Sequence, residues 1–323
     1  MTVPQSPHDK LFTAAFGTRQ AARGMLQTLL PKSILAKVDL GTLAPAPGSF
    51  VDEALAGSQS DLLFSVKLAG RPALIYVLLE HKSYHDPWVA LQLLRYVTRI
   101  WEKSLREEPP PTRLPPVVPL VVYHGESGWN VSTRLEDIID PVVGEVAELA
   151  QLTPRFEFLV DDLNQTTDEQ ILSRATGLFA ALAAIFMRDA RREGKARETL
   201  QRVGSLLAEL LQAPDGRRAV AILLRYLCLV AKVDAAEVTE VVKDIHPEAE
   251  KLMMTIAEQL LQQGREEGRA EALRGTLLRQ LRLRFQDLPE DALARIEAAT
   301  SEQLDLWTER ILTAETLDEV LAD

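Results

Sequence analysis

The sequence predicts an α/β half followed by an all-helical half. Three observations carry this. Two β-type runs flank a turn signal near residue 70, a short apolar run over 117–123 is closed by His124-Gly125, and beyond Thr167 β-type signal almost vanishes. At 323 residues the chain has room for two or three domains with substantial cores.

The elements follow in order. His8-Asp9 reads as a capped helix start, and helical spacing over 10–16 and 21–30 continues until Pro31 stops it. Pro45, Pro47 and Gly48 mark a loop. Runs 60–68 and 73–80 have strand length and are separated by Gly70-Arg71-Pro72, which predicts a hairpin. Leu, Arg, Val and Trp at helical spacing over 87–105 predict a helix that ends before Pro109-Pro110-Pro111. Runs 117–123 and 155–160 suit strands. Helices are expected over 168–192, 198–212, 217–232 and 235–244. A longer one over 248–284, with Gly264 and Gly268 inside it, reads as a solvated or coiled-coil-like helix. Pro289 suits a first helical position, 292–299 and a start at Ser301 follow, and 317–321 forms a last turn. The division expected is 1–165, a helical extension over 166–269, and a small helical domain over 270–323.

Composition narrows the class. Apolar residues at 46% and charged residues at 26% exclude a disordered, collagenous or disulfide-stapled chain. The lone cysteine, Cys228, lies in the apolar run 219–230 and is expected to be a buried small hydrophobe. The N-terminal residues have no apolar core for a secretory signal, so a reducing cytoplasm is expected. The most apolar stretch, 178–187, is too short to span a bilayer. A formal charge of −11 argues at first against a general nucleic-acid binder.

Chemistry concentrates at the hairpin. A two-residue loop at Gly70-Arg71 would place Asp61 directly opposite Glu80, about 5 Å apart at Cβ. Alternation puts Lys82 on the same face as Glu80. Two opposed carboxylates repel unless a cation neutralises them, and Mg²⁺ takes one or two carboxylates together with water and phosphate oxygens. Lys82 could then hold a scissile phosphate or lower the pKa of an attacking water. The plain alternative is an exposed strand end with a weak Glu80–Lys82 pair. Against it, 74–79 is an uninterrupted apolar run that turns abruptly charged, as a central strand does where it meets a site. A glycosidase acid/base pair of Asp61 and Glu80 would fit only a retaining geometry, and Lys82 gives it no support.

Asp61 followed by Glu80-His81-Lys82 resembles the PD-(D/E)XK nuclease signature, with Ser60 at the motif's proline position. Further motifs narrow the likeness: His8-Asp9-Lys10-Leu11-Phe12, Ser60-Asp61-Leu62-Leu63-Phe64, Leu78-Leu79-Glu80-His81-Lys82-Ser83, Gln92-Leu93-Leu94-Arg95-Tyr96, and Pro119 to Gly125 ahead of Trp129. Together, over about 8–260, they resemble the YhgA-like family of recombination-promoting nucleases and transposase relatives. The resemblance implies a mixed-sheet core and a metal-dependent DNA endonuclease of the bacterial cytoplasm or nucleoid. Asp61 and Glu80 would be ligands for Mg²⁺ or Mn²⁺, Lys82 the catalytic lysine, and Gln92 the helix residue that completes the site. The tail from about residue 270 resembles a small domain that often follows these nucleases.

Other residues keep two readings. Gln92 and Tyr96 share one helix face and could reach one cleft, or be a half-exposed amide beside a core aromatic. Asp9 fits a helix cap, or an acidic residue that many such nucleases place on their first helix. His81 is expected to pack, and His85 and His124 have no second soft ligand that would suggest zinc. Arg95, Arg99, Lys103 and Arg106 form a basic stripe that would contact DNA phosphates without reading sequence, or a solvated face. Arg279, Arg282 and Arg284 form a second cluster, and 248–284 could mediate a homodimer. The alternative to an enzyme is an inactive nuclease-fold protein that binds DNA or a protein partner.

Overall fold

The computed structural model describes residues 6–46, 62–80, 86–125, 127–140, 145–174, 176–192, 194–231 and 233–322, with backbone alone at 78–80 and 147. The expected sheet is present and mixed. Its five strands lie in chain order: β1 (Val38–Pro45), β2 (Leu62–Leu68), β3 (Arg71–Glu80), β4 (Val117–Tyr123) and β5 (Leu159–Asp162). The pairs β1–β2 and β2–β3 are antiparallel, while β3–β4 and β4–β5 are parallel.

The hairpin forms, but its turn is Ala69-Gly70 and not Gly70-Arg71. Both turn residues have positive φ, 49° and 76°, the signature of the mirror-image turns that match strand twist. The ladder pairs Leu68 with Arg71 and Leu62 with Val77. The expected turn would have set Leu62 opposite Leu79, so the register is corrected by two residues. The register argument that opposed Asp61 to Glu80 therefore does not describe this ladder; Asp61 itself lies outside the described residues.

Strand β1 went unpredicted. Its only buried residue is Leu43, and its pairing with β2 is interrupted between Asp39 and Ala44, where Asp39 Oδ1 accepts from the Gly41 amide. An edge strand of this kind carries little periodic signal.

The first helices are α1 (Pro7–Phe16), α2 (Arg19–Leu29) and the short α3 (Lys32–Leu35). Helix α4 (Val89–Ser104) returns the chain from the end of β3 to the start of β4, the crossover that a parallel pair needs. It covers one sheet face through Leu93, Tyr96 and Ile100, which pack on Leu74, Tyr76 and Val121. Ile75 and Val77 of β3 are buried too. A strand covered on both sides explains the uninterrupted apolar run.

After α5 (Ala147–Leu152), helices α6 (Asp168–Ser173), α7 (Leu178–Asp189), α8 (Lys195–Leu211), α9 (Gly216–Val230) and α10 (Ala235–Ile245) follow β5. The single helix expected over 168–192 is two, because Gly177 at φ 88° breaks it. Helix α1 packs on α7 and α9. Cys228 on α9 is half-buried rather than buried, and burial pushes its thiol pKa up to about 11. Helix α11 (Pro247–Phe285) runs without a break through Gly264 and Gly268.

The chain divides into two compact units, Met1–Met253 and Met254–Asp323. The second has its own core of Leu277, Leu281, Ile296, Leu304, Trp307 and Val320, built from the end of α11 with α12 (Glu290–Ala298), α13 (Ser301–Arg310) and α14 (Leu317–Val320). Pro289 caps α12 from outside instead of opening it. Arg284 donates to the carbonyls of Ile311 and Ala314, so one arginine of the predicted second cluster closes a helix end. No helix among the described residues is long and apolar enough to cross a membrane.

Candidate active site

The parallel ladder brings three strand ends into one row. Glu80 is paired with Tyr123, and Tyr123 with Asp162, at the C-terminal edge of β3, β4 and β5. Open α/β sheets build their sites at this edge. Of the expected acidic and basic trio, Glu80 is placed here by its backbone, while Asp61 and Lys82 lie outside the described residues, as do His81 and His85.

The first turn of α1 meets the same edge. Ser6 caps the helix, and Asp9 closes a capping box: its amide donates to Ser6 Oγ at 3.2 Å, and Asp9 Oδ2 accepts from the Ser6 amide at 3.2 Å. This gives Asp9 the capping role in part, from the third helical position. Asp9 is 8% exposed, and its Oδ1 is buried without a hydrogen-bond partner among the described residues. A buried carboxylate oxygen left open is costly.

Next to Asp9, His8 lies at 4.9 Å between ring centroids from His124, the residue that follows β4. His124 is fully buried. Arg191 Nη2 stands 3.1 Å from His8 Nε2, and Tyr226 Oη 3.0 Å from His8 Nδ1. A guanidinium can only donate, so Nε2 accepts and the His8 proton sits on Nδ1, donated to the Tyr226 oxygen. Burial raises the Tyr226 pKa above its usual range, against the opposing charge of Arg191, which keeps the hydroxyl protonated.

The loop after β4 is fixed by packing. A Cβ at Gly125 would lie 2.1 Å from Tyr123 Oη, so glycine is required there. Asn164 Nδ2 donates to the carbonyls of Gly125 and Ser127, and the Trp129 amide donates to Asp162 Oδ2 at 2.8 Å. The Trp129 ring stands edge-on to Tyr123. The motif from Pro119 to Gly125 with Trp129 thus shapes the strand end.

On α4, Tyr96 is buried against Tyr76 at 5.1 Å between centroids, the core-aromatic reading, and Gln92 is half-buried. Arg95 is exposed; Arg99 and Lys103 are half-exposed. No cluster of three or more His, Cys, Asp or Glu side chains suited to a metal ion occurs among the described residues. Sequence reasoning missed the linkage of His8 to Tyr226 and Arg191. The one available signal was Tyr226 itself, the only tyrosine after Tyr123, set within an aliphatic helix.

The family model described as "Putative transposase, YhgA-like" matches residues 6–218. The chain is 29% identical over 273 residues to the inactive recombination-promoting nuclease-like protein RpnE of Escherichia coli K12, covering 83% of this chain and 86% of that protein. It is 30% identical over 264 residues to the recombination-promoting nuclease RpnA of the same strain, covering 80% and 85%. To the recombination-promoting nuclease RpnD of Escherichia coli O157:H7 it is 27% identical over 261 residues, covering 79% and 94%. No solved structure matches the chain. With two thirds of its length matched by one family model, and relatives of nearly full length named as nucleases, the chain belongs to the YhgA-like transposase family.

Proposed function

We propose that the chain is a divalent-metal-dependent DNA endonuclease that hydrolyses phosphodiester bonds and promotes recombination. Asp61, Glu80, Lys82 and Gln92 form its catalytic set, with Asp61 and Glu80 as metal ligands. The observation that carries the reading is the ordered set of motifs, with Glu80 ending β3 at the edge where β3 and β4 run parallel. The names of RpnA and RpnD support the nuclease class.

The donor chemistry suits a hard cation. Asp61 and Glu80 offer carboxylate oxygens, and Asp9 Oδ1, without a partner among the described residues, adds a third as an accessory ligand. Bound there, Mg²⁺ or Mn²⁺ supplies Lewis-acid polarisation of phosphate and an acidified water. Lys82 balances charge on the scissile phosphate, Gln92 orients it, and Tyr96 supports Gln92 from the core. Arg95, Arg99 and Lys103 contact the DNA backbone without reading bases. The expected location is the bacterial cytoplasm, and double-strand cutting would need two copies, paired through the C-terminal helical region.

Plasmid cleavage tests this. Wild-type protein with Mg²⁺ or Mn²⁺ should nick or linearise plasmid, EDTA should stop it, and Glu80→Ala or Lys82→Ala should each reduce the rate at least about 100-fold. Nicking that survives both substitutions would overturn the assignment. The name of RpnE favours a second reading, an inactive nuclease-fold protein. Absence of cleavage together with undiminished DNA binding would establish that one instead.

A further inference from the structure

We propose that Trp88 stacks on an unpaired base of single-stranded DNA whose backbone follows the outer side of α4. This rests on the DNA-endonuclease reading and adds the form of DNA that the site takes.

The buried side of α4 is Val89, Leu93, Tyr96, Val97 and Ile100. At 100° per residue, Trp88, Arg95 and Arg99 fall within about 40° of one another, away from that side, and Arg106 lies in the turn just past the helix end. Trp88 is 58% exposed, and Arg95 and Arg106 are exposed. The chain's other three tryptophans are covered: Trp307 is buried, and Trp101 and Trp129 are half-buried with their indole nitrogens donating to the carbonyls of Pro115 and Val131. The Trp88 indole nitrogen has no partner among the described residues. Only its backbone is held, by the Asp86 carboxylate at 2.9 Å. A large flat ring is thus presented to solvent from an anchored backbone.

Topology says which end it marks. Trp101, near the other end of α4, is tied to Pro115 just before β4 begins. The Trp88 end therefore stands at the edge where Glu80 and Tyr123 are paired. From there the helix rises about 10 Å to Arg95 and about 6 Å more to Arg99, and Arg106 follows in the turn after its last residue. Glu102, the only acidic residue of α4, lies on this same side between Arg99 and Arg106, and the three arginines leave the strip net positive. A positive strip on a chain of net charge −11 fits a polyanion, and a single strand repels the rest of the molecule less than a duplex of twice the charge. Within a duplex each base face is already stacked, so an indole reaches one only by prying a base step apart, whereas an unpaired base is open to it; aromatic stacking beside cationic phosphate contacts is how single strands are held.

The test measures binding of the full chain, in EDTA, to a fluorescent 20-nucleotide oligo-dT and to a duplex of the same length. Trp88→Ala should weaken single-strand binding about tenfold or more and duplex binding less than twofold, while Trp88→Phe keeps most of the affinity. Indole emission should be quenched by oligo-dT, with the quench reduced in Trp88→Ala. Equal losses on both DNAs, or none, would overturn the proposal, as would a wild type that does not bind the single strand. A wild type that cuts plasmid while Trp88→Ala binds oligo-dT normally would sink this inference alone. Trp88-dependent binding without any metal-dependent cutting would sink the endonuclease reading alone.

Discussion

Two buried polar clusters in the first unit are built to opposite rules. In one, Arg188 donates from Nε to Asp189 at 2.7 Å, from Nη2 to Asp168 at 2.5 Å and from Nη1 to the Thr166 carbonyl at 2.8 Å. Arg202 bridges the same two aspartates, and Thr199 donates to Asp189 Oδ2 at 3.0 Å. Each charge is answered, and the cluster joins α6, α7 and α8. At the strand ends, Asp9 spends one oxygen on its helix cap and leaves the other without a partner among the described residues. The closed cluster stabilises the fold. The open one gives up stability where a cation-binding site is proposed, and buried groups left open in this way need such a reason.

The sharpest way to break this comparison is Asp189→Ala. It would leave Arg188 buried without its main partner, and the unfolding free energy from urea titration should fall by about 3–5 kcal/mol. Asp9→Asn keeps a capping oxygen and should cost under about 1 kcal/mol, yet lower the thermal stabilisation given by Ca²⁺. Equal losses in the two variants would erase the contrast. Tyr226→Phe comes next, since it removes the acceptor of the His8 Nδ1 proton. It should cost about 1–3 kcal/mol in the same measurement, and a neutral result would mean that His8 is held otherwise.

The closed cluster should also show in the acid limb. Burial pushes the Asp189 pKa up, but bonds from Arg188, Arg202 and Thr199 outweigh this and hold it below the usual carboxylate range. The unfolded chain therefore binds this proton more readily. Its stabilising contribution is complete above roughly pH 4 and is lost as pH falls through the lower folded value. Urea midpoints between pH 6 and 3 should fall less steeply in Asp189→Asn than in wild type. The smallest effect belongs to the exposed pair Lys195–Glu198, where Lys195→Ala should change the unfolding free energy by less than about 0.5 kcal/mol.

Local signals were legible in the sequence, and distant ones were not. The apolar runs of β3 and β4, the hairpin and the C-terminal helices announce themselves within a few residues. The turn register does not, because it depends on Ala69 in a left-handed conformation that nothing in its residue type signals. Strand β1 was hidden by its position at the sheet edge, and the break before α7 by a single glycine. At the site, the motif residues could be named, and Tyr96 could be given two readings, a core aromatic or an accessory to the cleft, of which its burial against Tyr76 matches the first without deciding the second. The His8–Tyr226 hydrogen bond joins residues 218 apart, a separation at which no periodicity or spacing carries information.

That separation also sets a clock. At a synthesis rate of roughly 5–20 residues per second, Tyr226 is made about 10–40 s after His8. The five strands can all have left the ribosome before the partner of His8 exists. During that interval the first turn of α1 lacks its hydrogen bond to α9, and a chain cut short before α9 never acquires it. The site edge is therefore finished by the helical half, late in synthesis, although the motifs that define it are read out first.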